Sequence, residues 1–223
     1  MMKKLFFALA LALGTGMAAQ AQATFGIRAG ANLSNLSGDL QNESLFENKV
    51  SFHGGLTLNF PVVEDFFSIQ PELLYSRKGF KNSGEEYTNL LMQERRKEGS
   101  VNYNYIDVPV LANFNAGPLY FEFGPQLGYL MSVNNETKVY DGDGKLLSSK
   151  TDEKSKAGLA EFEVGYAAGL GFAASNGISL GLRYNGAFTD FVKDEKNYFD
   201  GDMTNARHSV FMLTLGVKLP SGR

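Results

Sequence analysis

Between residues 162 and 186 the chain reads FEVGYAAGLGFAASNGISLGLRYNG. Phe162, Val164, Tyr166, Ala168, Leu170 and Phe172 are apolar, whereas Glu163, Gly165, Ala167, Gly169 and Gly171 are small or charged. Period two is the signature of a β-strand, because successive side chains point to opposite faces. Asn176-Gly177 then supplies a turn and the alternation resumes at Ile178. The same pattern recurs along the chain and predicts eight strands, at about 24–33, 50–60, 66–77, 101–114, 119–131, 159–173, 177–188 and 207–219. Links near Pro61-Val62-Val63-Glu64, Asn115-Ala116-Gly117-Pro118 and Ala174-Ser175-Asn176-Gly177 are tight, whereas those over 34–49, 78–100, 132–158 and 189–206 are long. Short and long links alternate strictly, as in an antiparallel up-and-down meander with turns at one end and loops at the other.

The two faces of these strands differ throughout. One carries Phe25, Ile27 and Leu33, then Phe52, Leu56 and Phe60, then Phe67, Leu73 and Tyr75, and continues to Leu213, Leu215 and Val217 with hardly a charge. The other offers Gly26, Arg28, Gly30 and Asn32, then His53, Gly55 and Thr57, then Gln70 and Glu72, and later Gly181, Arg183 and Asn185. Two barrels fit. A water-soluble barrel of the lipocalin kind turns its apolar face inward around a ligand and its polar face to water. A transmembrane barrel reverses the faces. A water-washed surface is usually rich in lysine, yet the polar face has almost none and is crowded with glycine, which commonly marks close approach inside a sheet. An eight-stranded barrel has an interior only just wide enough for side chains, and small residues suit it.

Aromatic positions point the same way. Phe25, Phe60, Phe67, Phe114 and Phe172 gather at the turn end, and Phe52, Tyr75, Tyr129, Phe162, Tyr184 and Phe211 toward the loop end. Two belts of rings, one per membrane interface, are what contact with lipid rewards. Phe25, Phe60, Phe67, Phe114, Phe172 and Tyr184 are therefore expected to face lipid. The fold class expected is all-β, an eight-stranded antiparallel up-and-down transmembrane β-barrel with short periplasmic turns and long extracellular loops.

Composition narrows the picture further. The chain opens MMKKLFFALALALGTGMAAQAQ, with two lysines, an apolar run from Leu5 to Leu13, and Ala19-Gln20-Ala21 as an A-x-A site. That pattern predicts a signal peptide over 1–21 and a barrel domain over 22–223, since the apolar run is shorter than the roughly 20 residues of a spanning helix. Cysteine is absent, which excludes a lipobox anchor and a disulfide framework. A net charge of −3 makes nucleic acid an improbable partner.

With the strands in place, the sequence resembles the PorT-type outer-membrane β-barrel family of Gram-negative bacteria. The stretches that carry the resemblance, in order, are FGIRAGANLSNLSG, YNYIDVPVLANF, FEFGPQLGYL and LGLRYNGAFTD, which together cover essentially the whole mature chain. The resemblance implies a fold, an outer-membrane location and contact with outer-membrane lipid and the outer-membrane assembly machinery. It brings no catalytic residue. Such barrels typically finish on an aromatic that the assembly machinery reads, whereas this chain ends Lys218-Leu219-Pro220-Ser221-Gly222-Arg223.

Candidate chemistry sits on the inward face. Arg28, Arg183 and Lys218 stand against Glu72, Asp107, Glu122 and Glu163, with Glu161 near the rim. Charges in a narrow lumen are tolerated when paired, so these residues are expected to form ion pairs that plug it; a polar conduit or solute site is the other reading. No cofactor or metal is expected, since His53 and His208 are the sole histidines. His208-Ser209 does not make a hydrolase pair, because neighbouring strand residues face opposite ways. YDGDGK (140–145) is expected to be a turn rather than a calcium loop, and TNLLMQERRKE (88–98) a short helix or a solvated loop. The expected function is that of a small, monomeric, non-enzymatic outer-membrane barrel whose loops contact a surface partner. A narrow channel, a secretion-associated barrel and a periplasmic ligand carrier are the alternatives.

Overall fold

A computed structural model of the chain describes residues 23–38, 46–88, 92, 94–156, 158–192, 197–198, 201–202 and 205–219. The expected leader at 1–21, parts of all four long links and the tail beyond Leu219 lie outside the described residues. In chain order the strands are β1 (Thr24–Ser37), β2 (Phe46–Glu47), β3 (Lys49–Val63), β4 (Phe67–Thr88), β5 (Glu94–Ala116), β6 (Leu119–Asp141), β7 (Leu146–Lys154), β8 (Phe162–Ala173), β9 (Ile178–Ala187), β10 (Asn197–Tyr198), β11 (Gly201–Asp202) and β12 (Arg207–Lys218). Eight of them form a ring in the order β4-β3-β1-β12-β9-β8-β6-β5, and β5 pairs back onto β4. Each of these strands lies antiparallel to its neighbours in sequence. The first also pairs with the last, in unbroken register from Gly26↔Lys218 to Ser37↔Arg207. This is an eight-stranded up-and-down barrel, whose ring has no free edge.

The faces divide by strand parity. Leu56, Phe123, Leu170 and Leu215, from four different strands, are each more than half exposed, at 57%, 56%, 55% and 54%. Their inward neighbours Thr57, Glu122, Gly171 and Gly216 are buried. An apolar band of this size around a whole barrel would be strongly unfavourable in water. Hydrocarbon is the medium that suits it. The six rings expected at lipid lie on this face, with Phe25 and Phe172 exposed and Phe60, Phe67, Phe114 and Tyr184 half-buried. Phe67 and Phe114 meet at 4.9 Å and Tyr184 and Phe211 at 5.0 Å between ring centroids.

Two glycines show why the inward face is built of small residues. The ring of Tyr120 crosses the lumen side of Gly171 and Gly181, so that a Cβ at either position would collide with it. A large side chain can thus lie flat inside because its neighbours have none.

Two of the long links differ from expectation. Residues 78–88 and 94–100 continue as strands, paired from Lys78↔Tyr103 to Thr88↔Glu94 with one register shift between Asn82 and Glu85. Residues 133–140 likewise pair with β7. The helix considered for 88–98 is therefore not formed at 94–98, where each residue pairs with β4, β6 or both. Tertiary pairing overrides helix propensity here. β4 and β5 have 22 and 23 residues, about twice the 9–11 needed to cross a bilayer, so both hairpins project beyond it. The β6–β7 hairpin closes on YDGDGK, where Asp141 Oδ1 accepts from the backbone N–H groups of Asp143 (3.2 Å) and Lys145 (2.8 Å). Gly144 takes the left-handed conformation there, with φ of 79°.

Leu170→Arg puts a charge in the middle of the apolar band. It is expected to destabilise the folded barrel by about 2–4 kcal/mol, read from denaturant titration of reversible folding in lipid vesicles.

Candidate functional site: a charge-paired lumen

Inward residues of an eight-stranded barrel stack in layers contributed by alternate strands. One layer here holds Arg28 from β1, Glu72 from β4, Glu122 from β6 and Arg183 from β9, which are every second strand of the ring. Around the ring the two arginines, on β1 and β9, stand on one side and the two carboxylates, on β6 and β4, on the other, so the opposite charges reach across the lumen to meet. Arg28 lies 2.9 Å from Glu72 and 3.1 Å from Glu122. Arg183 lies 2.8 Å from each of the same two carboxylates. Each guanidinium thus bridges both acids, the arrangement that its rigid fork of donors favours. All four side chains are buried and their formal charges cancel. Gln70 donates to Glu72 at 2.7 Å, and Asn59 donates to Gln70 at 3.1 Å, which extends the network toward the turn end.

A second layer lies nearer the loops. Lys78 is 3.1 Å from Asp107 and 2.9 Å from Glu163, and the Nδ1 of His208 is 2.5 Å from the other oxygen of Glu163. The Lys78 ammonium also sits 4.4 Å from the centroid of the Tyr105 ring, a cation–π contact. Neutral polar groups fill the space alongside the charges. His53 bonds to Asn32 (2.7 Å) and Thr214 (3.0 Å) through its two ring nitrogens, and Asn185 donates to Gln126 at 2.6 Å.

Above these layers the interior becomes apolar. Phe80, Val101, Tyr103, Tyr105, Leu130, Val133, Leu159 and Phe191 form one buried cluster under the loops. The Phe191 ring stacks on His208 at 4.3 Å. Small polar residues and ion pairs therefore do not fill the lumen alone, as the sequence suggested. Bulky rings close its outer half, because β4 and β5 carry their inward positions past the bilayer.

Of the seven charged residues expected to pair in the lumen, the structure brings Arg28, Glu72, Glu122 and Arg183 into one layer, and Asp107 and Glu163 into the other. Lys218 is a correction: it is exposed rather than buried, although its parity is inward. It pairs with Gly26 at the last rung of the ring, where the lumen opens to solvent. Glu161 is exposed at the rim, 3.7 Å from Lys156.

Lys78 and His208 were missed. Both keep the inward parity of their strands, and that signal would have found Lys78 had the strand been continued past 77. Ser209 donates to the Tyr184 hydroxyl at 3.1 Å, on the opposite face from His208. The His208-Ser209 pair is split as strand geometry requires.

Removing one partner from the four-residue layer leaves a buried charge uncompensated. Glu122→Gln is expected to cost about 3–5 kcal/mol. Arg28→Gln with Glu122→Gln should cost less than the sum of the two single changes, because an opposed pair leaves together. Denaturant midpoints of vesicle-embedded protein measure both.

Solved structures similar to the chain include Neisserial surface protein A, with 18% identity, a TM-score of 0.44 and coverage of 88% of this chain and 99% of that one. Another is Ail, the attachment invasion locus protein of Yersinia pestis, with 14% identity, a TM-score of 0.41 and coverage of 88% and 99%. OprG from Pseudomonas aeruginosa shows 13% identity, a TM-score of 0.34 and coverage of 91% and 98%. No curated protein matches the chain. The family model described as "outer membrane protein beta-barrel domain" matches residues 18–193. That match covers most of the chain, which is a bacterial outer-membrane protein and belongs to the outer membrane protein beta-barrel domain family.

Proposed function

We propose that this protein is a plugged, non-enzymatic barrel that serves as a membrane-anchored scaffold for its external hairpins. The observation that carries the reading is the neutral layer of Arg28, Glu72, Glu122 and Arg183, which spans the lumen from alternate strands. A pore needs a continuous polar path, and here the polar groups bond to one another while the Phe191, Tyr103 and Tyr105 rings lie over them. A rigid, filled barrel suits a scaffold better than a conduit.

The hairpins supply the contact surface. Every residue of β7, LLSSKTDEK, is exposed, and its pairing is to β6 alone. Long segments held on a rigid scaffold are where recognition usually resides. Contact with a surface partner through β4–β5 and β6–β7 is the role that follows. The four stretches named above support placement within the PorT-type branch. The N-terminal pattern supports export through a signal peptide over 1–21, delivery of 22–223 to the assembly machinery, and a monomeric state, since the ring is complete within one chain.

A secretion or channel role is the competing reading, and conductance separates the two. Purified protein in a planar bilayer is expected to give no steady single-channel steps; reproducible steps from the monomer would overturn the plug. Trypsin added to intact cells is expected to cut at Lys145, Lys150 or Lys154 and spare the ring, as read by mass spectrometry of the surviving fragment. Protection of all three sites until the cells are lysed would reverse the orientation.

A further inference from the structure

β7 is the outermost strand of the sheet that continues beyond the bilayer. Among the described residues it pairs with β6 alone, from Tyr140↔Leu146 to Val133↔Lys154. Its other edge is a row of backbone N–H and C=O groups of the kind that templates a further strand. All nine residues, LLSSKTDEK, are exposed, and neither proline nor glycine interrupts them. Lysines on an edge usually repel a second strand. Here Lys150 and Lys154 flank Asp152 on one face, so the edge carries both signs. Within the strand Lys150 Nζ lies 3.2 Å from Asp152 Oδ2.

That pattern is self-complementary. Two antiparallel copies of β7 joined in a continuous sheet are related by a two-fold axis normal to it, so opposed residues share parity and one residue faces its own copy. With Thr151 on the axis, Lys150 stands opposite Asp152 on both sides of it, Ser149 opposite Glu153 and Ser148 opposite Lys154. Two lysines and two aspartates then form a square of alternating sign about a Thr–Thr pair, both favourable cross-strand combinations. Moving the axis by one residue sets Lys150 or Asp152 against its own copy, which is unfavourable. The chain's own charges thereby fix a register, which favours a second copy over a foreign strand.

Strand direction decides where that copy sits. β6 rises away from the bilayer and β7 returns toward it, since Val133 and Lys154 pair just beyond the barrel rung of Tyr129 and Phe162. Copies in one bilayer would run β7 the same way relative to the membrane, whereas antiparallel pairing needs them to run oppositely. We propose that β7 joins the β7 of a second copy in a facing outer membrane, making one sheet across the gap, while each barrel stays monomeric in its own bilayer. The inference rests on the reading of the external hairpins as the contact surface and names their partner.

The full-length folded protein is reconstituted in two sets of phosphatidylcholine vesicles, one carrying a donor dye and the other an acceptor dye in the lipid. Energy transfer after mixing reads clustering. Wild type is expected to cluster with wild type and to ignore protein-free vesicles. Lys150→Asp and Asp152→Lys should each abolish clustering when present on both sets, because like charges then face each other. Lys150→Asp on one set and Asp152→Lys on the other should restore it. Both positions are exposed, so neither change removes a buried contact. Thr151→Cys, in a chain with no cysteine of its own, should crosslink the two sets on mild oxidation, since opposed Cα atoms at about 4.5–5.5 Å are within disulfide reach. Clustering with protein-free vesicles, clustering that survives either charge change, or failure of the mixed pair or of the crosslink would overturn the pairing. Absence of wild-type clustering while trypsin cuts at Lys150 and Lys154 would sink this inference and leave the scaffold reading standing. Protection of both sites from trypsin on the same vesicles would remove that reading and the pairing with it.

Discussion

The rest of this structure depends on the absence of water in the hydrocarbon layer. Every backbone N–H and C=O that enters it must find a partner within the chain, and a sheet can meet that demand only by closing on itself. Closure here is the pairing of β1 with β12. Once eight strands are closed, the diameter is set, and the interior can hold little beyond side chains. The apolar alternate residues must then face lipid, and the polar alternate residues must satisfy one another inside.

The ion-pair layers follow from that confinement. Four charges brought from β1, β4, β6 and β9 into a narrow lumen would be prohibitive if any one lacked a partner. With both arginines on one side of the ring and both acids on the other, each guanidinium meets two acids and each acid two guanidiniums. The same confinement explains Gly171 and Gly181, whose missing side chains make room for Tyr120. Above the bilayer the constraint relaxes: β4, β5 and β6 continue as paired hairpins in water, and their inward positions switch from charge to the Phe80, Tyr103 and Leu130 cluster. Charge pairing at the membrane level and apolar packing above it are two solutions to filling one tube.

Much of the fold was legible because β geometry has a short memory. Period two assigns the face of Glu72, Glu122, Glu163 or Arg183 from adjacent residues alone, and tight turns such as Asn176-Gly177 mark the register locally. Parity also separated His208 from Ser209. It failed where the strand end was misjudged: the segment beyond Arg77 is rich in polar residues and reads as loop, yet β5 is there to pair with it. Lys78 was lost for that reason. Lys218 was misplaced by the opposite error, since parity gives direction without depth, and its rung lies at the open mouth.

The sequence by itself determined the number of barrel strands, the face of each residue and the medium each face meets, because these depend on interactions between near neighbours and on solvent. Only the tertiary structure decided which charges meet. Arg28 and Glu122 are 94 positions apart, and Arg183 and Glu72 are 111 apart. Their approach depends on closure and on the relative stagger of strands around the ring, quantities that no single strand encodes.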